Sequence, residues 1–118
     1  MSMSTRSQKF AQAAYTRIEK RGKPQKEYVS FAKRFPSLLH TCGLAQAVAF
    51  AMAKKEENYL NDMAAVLHAG DRPELSSAEI LNEKARTATL AEYLRLSRDA
   101  LEAAGWLKRY VEAYGEAD

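Results

Sequence analysis

The chain of 118 residues contains a single cysteine, Cys42, and only two histidines, His40 and His68. One cysteine excludes an intramolecular disulfide and fits a reducing compartment. The same scarcity works against metal and nucleophile chemistry. A zinc centre ordinarily takes three or four ligands, and a nucleophile needs a base, a group that orients the base, and oxyanion donors. His40 with Cys42, or His68 with Asp71, supplies only part of such a set; the alternative is a helix-end histidine and a small buried thiol. The five glycines are scattered, so no G-x-G-x-x-G or G-K-[ST] phosphate loop exists. No metal or cofactor is expected. The β-branched aliphatic residues are few, namely Ile18, Val29, Val48, Val66, Ile80 and Val111, while alanine recurs throughout. That balance favours helices over sheets. The longest apolar run, residues 47–53, is far below the roughly 20 residues a membrane span needs, and no signal-peptide core occurs near the N-terminus. A cytoplasmic protein is therefore expected, with one core that buries about two thirds of the unfolded-chain surface.

What the sequence does have is helical periodicity, punctuated. In residues 26–52, KEYVSFAKRFPSLLHTCGLAQAVAFAM, Tyr28, Phe31, Ala32 and Phe35 share one helical face. Pro36 lacks an N–H and disfavours helical geometry in Phe35, which predicts one helix over 26–35 and a short one over 36–42. Gly43 predicts a left-handed cap before Leu44, Ala45, Val48, Ala49 and Met52 resume the spacing up to about Lys55. Before this stretch, a helix capped by Ser4 or Ser7 runs to Arg21, with Phe10, Ala11, Ala14, Tyr15 and Ile18 on one arc. After it, a helix over 58–68 turns Leu60, Met63, Ala64 and Leu67 inward and stops at Gly70. Ser76 with Glu79, and Thr89 with Glu92, have capping-box spacing and start two more helices, the last reaching Tyr114. On that last helix Leu90, Leu94, Leu101, Ala104 and Val111 are expected inside, with Arg95–Asp99 and Arg98–Glu102 as pairs on a solvated face. The fold class is all-α, a bundle of six or seven helices in a single domain over 1–118.

The order of residues from Tyr28 to Phe50, with its Tyr, Ala-Lys-Arg-Phe-Pro-Ser-Leu, Gly-Leu and Ala-x-Ala-Phe pattern, resembles the small all-helical subunit of the type III-B CRISPR effector, the Cmr complex. Trp106-Leu107-Lys108-Arg109 carries the same resemblance near the C-terminus. It implies a non-catalytic subunit of an RNA-guided ribonucleoprotein in antiviral defence. Several copies would line a filament and support the guide–target RNA duplex while another subunit cleaves. Its partners would be the other Cmr subunits and the RNA backbone.

The charge pattern agrees with a polyanion-facing end. Nine basic residues against two acidic ones give residues 1–34 a charge of +7, so the remainder carries −4 to reach the total of +3. Arg6, Lys9, Arg17 and Lys20 gather beside the apolar arc of the first helix. A charge run of this kind is either a solvated face or a phosphate-binding surface, and the resemblance favours the second. The candidate RNA contacts are Lys9, Arg17, Lys20, Lys23, Lys26, Lys33 and Arg34, which would neutralise phosphates without reading sequence. Trp106, Tyr110 and Tyr114 form an aromatic stripe that is either covered by neighbouring helices or a partner-binding patch. Glu56, Glu57, Asp62, Glu79 and Glu83 occupy capping or solvent-facing positions and suggest no acid–base pair. The competing readings are a helical DNA-binding domain, which would need a recognition helix with exposed Arg, Asn or Gln, a small hydrolase, and a protein-only adaptor.

Overall fold

Six helices make up the computed structural model, which describes residues 5–114: α1 (Arg6–Arg21), α2 (Lys26–Cys42), α3 (Leu44–Ala53), α4 (Glu57–Ala69), α5 (Ala78–Thr87) and α6 (Leu90–Tyr114). Among the described residues there is no strand, and the fold is all-α. Helix α4 packs against all five of the others. Its buried side chains, which include Tyr59, Leu60, Met63, Val66 and Leu67, cover most of its circumference, as a central helix requires.

Helix α1 buries Phe10, Ala14 and Ile18, one turn apart, against α4 and α6. Its cap is Thr5, neither serine: the Thr5 hydroxyl accepts from the Gln8 N–H at 3.0 Å, and the Gln8 side chain accepts from the Thr5 N–H at 2.8 Å. Ser7 lies inside the helix, and Ser4 is outside the described residues. A threonine followed three residues later by glutamine is the capping-box spacing, so the signal was present.

The break expected at Phe35–Pro36 does not occur. Helix α2 runs through Pro36 to Cys42, which removes the seventh helix. Phe35 and Leu39 flank the proline one turn apart and are 0% and 7% exposed. An interior proline costs about 3 kcal/mol, while full burial of each large apolar side chain contributes roughly 1.5 to 3 kcal/mol. Burial on both sides of the proline outweighs the local penalty. Gly43 does separate α2 from α3, with φ +84° and ψ 164°, so it is extended on the glycine side of the map and not a left-handed helical cap. Its N–H donates to the Leu39 carbonyl and its own carbonyl accepts from Ala47, both at 3.0 Å, so one residue ends α2 and starts α3. The Tyr93 hydroxyl accepts from the Ala45 N–H at 3.0 Å and satisfies a free donor of the first turn of α3.

Gly70 ends α4 as expected, and close approach explains it: a Cβ there would stand 1.7 Å from Cε1 of Phe10. Helix α5 is capped by Ser77, one residue later than expected, whose hydroxyl accepts from Ile80 at 3.3 Å; the Asn61 side chain accepts from the Ala78 N–H at 2.8 Å. Thr89 and Glu92 form the expected box at the start of α6.

The register of α6 corrects the sequence reading. Leu96, Ala100, Ala103, Ala104, Leu107 and Val111 face the core, whereas Leu90, Leu94 and Leu101 are 75%, 55% and 41% exposed. At about 100° per residue those three leucines lie roughly a third of a turn from the centre of the buried face. That face is built largely of alanine, which lets α1, α2 and α4 approach the α6 backbone closely. The expected Arg95–Asp99 and Arg98–Glu102 pairs are absent. Asp99 is buried, and Glu102 accepts from the Ser7 hydroxyl at 2.7 Å and the Trp106 indole N–H at 3.4 Å.

Candidate nucleic-acid interface

The basic side of α1 forms the wall of an open groove of about 900 Å³. From α1 it receives Gln8, Lys9, Gln12, Tyr15, Thr16, Arg17 and Lys20; Ala65 and Ala69 of α4 and Tyr110 of α6 supply small and aromatic surface opposite. No aspartate or glutamate lines it. Lys9, Arg17 and Lys20, spaced about two turns and then one, put three cations along its length. Lys9 donates to Asp71 at 3.2 Å but keeps 40% of its side chain exposed. Lys20 is exposed and has no ion-pair partner among the described residues.

Arg17 has a second task. Asp62, expected from the sequence to be capping or solvent-facing, is fully buried. Its carboxylate accepts from Arg17 Nε at 2.8 Å, from Arg21 Nε at 2.5 Å and from the Tyr28 hydroxyl. The sequence carried a signal for this: Asp62 follows Tyr59 by three residues and precedes Val66 by four, which places it on the inward arc of α4. A carboxylate on such an arc must be paired, because an isolated buried charge is prohibitively costly. Burial, and then the neighbouring Asp62 charge, hold the Tyr28 hydroxyl far above the usual tyrosine range. Asp99 repeats the arrangement on α6, where it accepts from Arg6 and, at 2.8 Å, from Arg72. Burial, and then the like charges of Arg6 and Arg95, lower the Arg72 pKa against the opposing pull of Glu74 and Glu92.

The remaining basic candidates sit elsewhere. Lys23 lines a separate cleft of about 630 Å³ with Arg21 and Lys55, and Glu27 and Glu56 line it too. Burial, and then the Glu27 charge, raise the Glu56 pKa there. Lys26 is exposed in the first turn of α2. Lys33 and Arg34 border a third hollow, about 440 Å³, over Phe31, Leu38 and Phe50, with the Arg34 guanidinium 5.7 Å from the Phe31 ring centre. The structure therefore gathers Lys9, Arg17 and Lys20 in one groove and leaves the other four outside it.

The aromatic stripe is partly covered. Trp106 and Tyr110 stack at 5.9 Å and are half-buried against the core, while Tyr114 stays 39% exposed. Tyr15 of α1 does much of the covering, with its ring 5.6 Å from that of Tyr110 and 6.2 Å from that of Tyr114. Periodicity places Tyr15 on the core arc, but it stands at the groove rim, 36% exposed. A hydrogen bond to Tyr114, and then the Glu19 charge, push its pKa up to about 12. Cys42 is exposed rather than a buried thiol, as are His40 and His68, and Asp71 pairs with Lys9 and not with His68. Among the described residues no group of three or more His, Cys, Asp or Glu could hold a metal ion, and no helix is long and apolar enough to cross a membrane.

An all-helical domain of this outline has been solved before. A crystal structure of a CRISPR-associated Cmr5 family protein from Thermus thermophilus superposes with a TM-score of 0.85 at 38% identity, over 96% of this chain and all of that one. The CRISPR system Cmr subunit Cmr5 of Thermus thermophilus is 40% identical over 116 residues, 94% of this chain and 96% of that protein. The family model described as CRISPR-associated protein (Cas_Cmr5) matches residues 6–114, and the chain belongs to that family.

Proposed function

We propose that this chain is a non-catalytic small subunit of a type III-B CRISPR (Cmr) effector complex, working in the cytoplasm in antiviral defence and holding RNA by its phosphates. The observation that carries this reading is the α1 groove, with Lys9, Arg17 and Lys20 along it and no carboxylate in its lining. Lysine and arginine so placed neutralise phosphates without contacting base edges, which suits a subunit that accepts any guide or target. Family membership and the naming of its Thermus relative as a Cmr subunit support the assembly. The exposed leucines of α6 offer an apolar surface for neighbouring subunits or further copies along a filament. His40, Cys42 and His68 lie exposed without the companions a reacting site needs, in keeping with a subunit that positions RNA while another cuts it.

The test is a salt titration of duplex RNA binding by the purified protein. With three phosphates neutralised, log K falls against log salt with a slope of roughly −2 to −3. Arg17 stays in place because it also neutralises Asp62. Reversal of Lys9 and Lys20 to glutamate flattens the slope to about −1 or less and weakens unrelated sequences equally. An unchanged slope and affinity after that double reversal refute the reading.

A further inference from the structure

The groove on α1 unites two features that the sequence kept apart. Its basic wall is Lys9, Arg17 and Lys20; its aromatic edge is Tyr15 of α1 meeting Tyr110 of α6, two rings 5.6 Å apart at 74°. Tyr15 is 36% exposed and, with Tyr114 at 39%, stands open to solvent in a bundle that buries Phe10, Phe31, Phe35 and Tyr59 almost completely. Lysines alone would suffice for a duplex, which presents only phosphates and sugar at its rim. An aromatic face beside a cationic track is the combination that holds unpaired nucleotides, because every base has a π-face to stack and every linkage a phosphate to neutralise. Gln8, Gln12 and Thr16, also in the lining, supply hydrogen-bonding groups that tolerate any base edge.

We propose that the groove takes a single-stranded segment of RNA, with a base stacked on Tyr15 at the Tyr15–Tyr110 edge and the flanking phosphates on Lys20 and Lys9. This rests on the phosphate-binding reading above and adds a preference for unpaired over paired RNA. The chain thus grips a strand where it leaves or has not yet entered the duplex. Glu19, which accepts from the Tyr15 hydroxyl at 3.3 Å, lies one turn along α1, is not part of the groove lining, and ties down the ring's polar tip.

The experiment uses the full-length protein, a single-stranded RNA carrying 2-aminopurine, and the same strand annealed to its complement. Wild type binds the single strand more tightly than the duplex and quenches the 2-aminopurine fluorescence. Tyr15→Leu keeps an apolar side chain against Tyr110 but removes the ring. It weakens single-strand binding by roughly 5- to 150-fold, the loss expected for one base stack, abolishes the quenching, and leaves duplex affinity and the salt slope unchanged. Unchanged duplex affinity also shows that the variant is folded. Tyr15→Phe, which keeps the ring and loses only the hydroxyl's bonds to Glu19 and Tyr114, retains affinity and quenching. Wild-type affinity and quenching in Tyr15→Leu, or equal weakening of single strand and duplex, overturn the stacking site while leaving the phosphate reading intact. Absence of any salt-dependent RNA binding by wild type overturns both.

Discussion

Asp62 is the position where one atom exchange tests the most structure. Its carboxylate is buried on the central helix and receives Arg17, Arg21 and the Tyr28 hydroxyl. Replacing it with asparagine keeps the shape, removes both ion pairs, and turns an amide donor toward a guanidinium donor. One-sided loss of a buried pair costs about 3 to 5 kcal/mol. The cost here is lower, because the Arg17 and Arg21 side chains are 37% and 26% exposed and reach water when released. About 2 to 4 kcal/mol remains, on the order of a 10 °C drop in Tm for a chain of this size. Denaturant and thermal unfolding followed by circular dichroism read the change directly. Arg17→Gln alone should cost no more than about 1 kcal/mol, and the double variant should cost less than the sum of the singles, since the two residues share one interaction. A loss below about 1 kcal/mol for Asp62→Asn, or strict additivity with Arg17→Gln, would refute the claim that this carboxylate ties α1 and α2 to α4.

Two other perturbations follow from close packing and from burial. Gly70→Ala forces a methyl group into the Phe10 ring and should destabilise by about 1 to 3 kcal/mol in denaturant melts, with partial rescue by Phe10→Leu; an unaffected midpoint would show that α1 does not seat on the end of α4. The Tyr59 hydroxyl is fully buried without a hydrogen-bond partner among the described residues, and burial, then the Asp62 charge, hold its pKa far above the ordinary value, as they do for Tyr28. A folded-state pKa above the unfolded value of about 10 means that the unfolded chain releases those protons first, so stability is intact below about pH 10 and falls as the pH rises beyond it. Tyr59→Phe should be neutral or stabilising at pH 7 and should reduce that alkaline loss; a destabilised protein at pH 7 would show that the hydroxyl has a partner.

Where local pattern and burial agree, the fold was legible in the sequence. Phe10, Ala14 and Ile18 recur one turn apart on α1, which ends at Arg21 as expected, Leu60, Met63, Ala64 and Leu67 mark the inner face of α4, and Gly43 and Gly70 close helices at the expected places. Pro36 misled because a local rule has no knowledge of what lies on either side; the core holds Phe35 and Leu39 and so carries α2 through the proline. On α6 residue size misled where phase would have served. The leucines at 90, 94 and 101 are conspicuous, yet the alanines at 100, 103 and 104 form the contact surface. For the groove, local pattern could supply only half. The one-sided basic arc of α1 is a property of a single helix, whereas the meeting of Tyr15 with Tyr110 depends on how α1 and α6 pack from nearly opposite ends of the chain.

The same packing changes the meaning of the charge asymmetry. Along the chain, the first 34 residues carry +7 and the rest −4. In the folded protein, Arg6, Arg17 and Arg21 from the basic third are matched by Asp99 and Asp62 from the acidic remainder, and Lys9 meets Asp71. The surface field is therefore weaker than the linear count suggests, and the residue types are sorted by task. Arginine, with a planar fork suited to carboxylates and weak hydration, fills the buried pairs. Lysine, a strongly hydrated point charge, remains at the groove as Lys9 and Lys20. A mobile ammonium follows a phosphate wherever the backbone places it and imposes no base preference, so Lys9 and Lys20 put at the groove, beside Arg17, the cation best suited to indiscriminate contact. In the proposed binding mode, discrimination between paired and unpaired RNA falls to the neutral partner in the groove, the Tyr15 ring. Conversion of Lys20 to arginine should accordingly preserve the salt slope, whereas loss of the ring should alter the choice of strand with the slope unchanged.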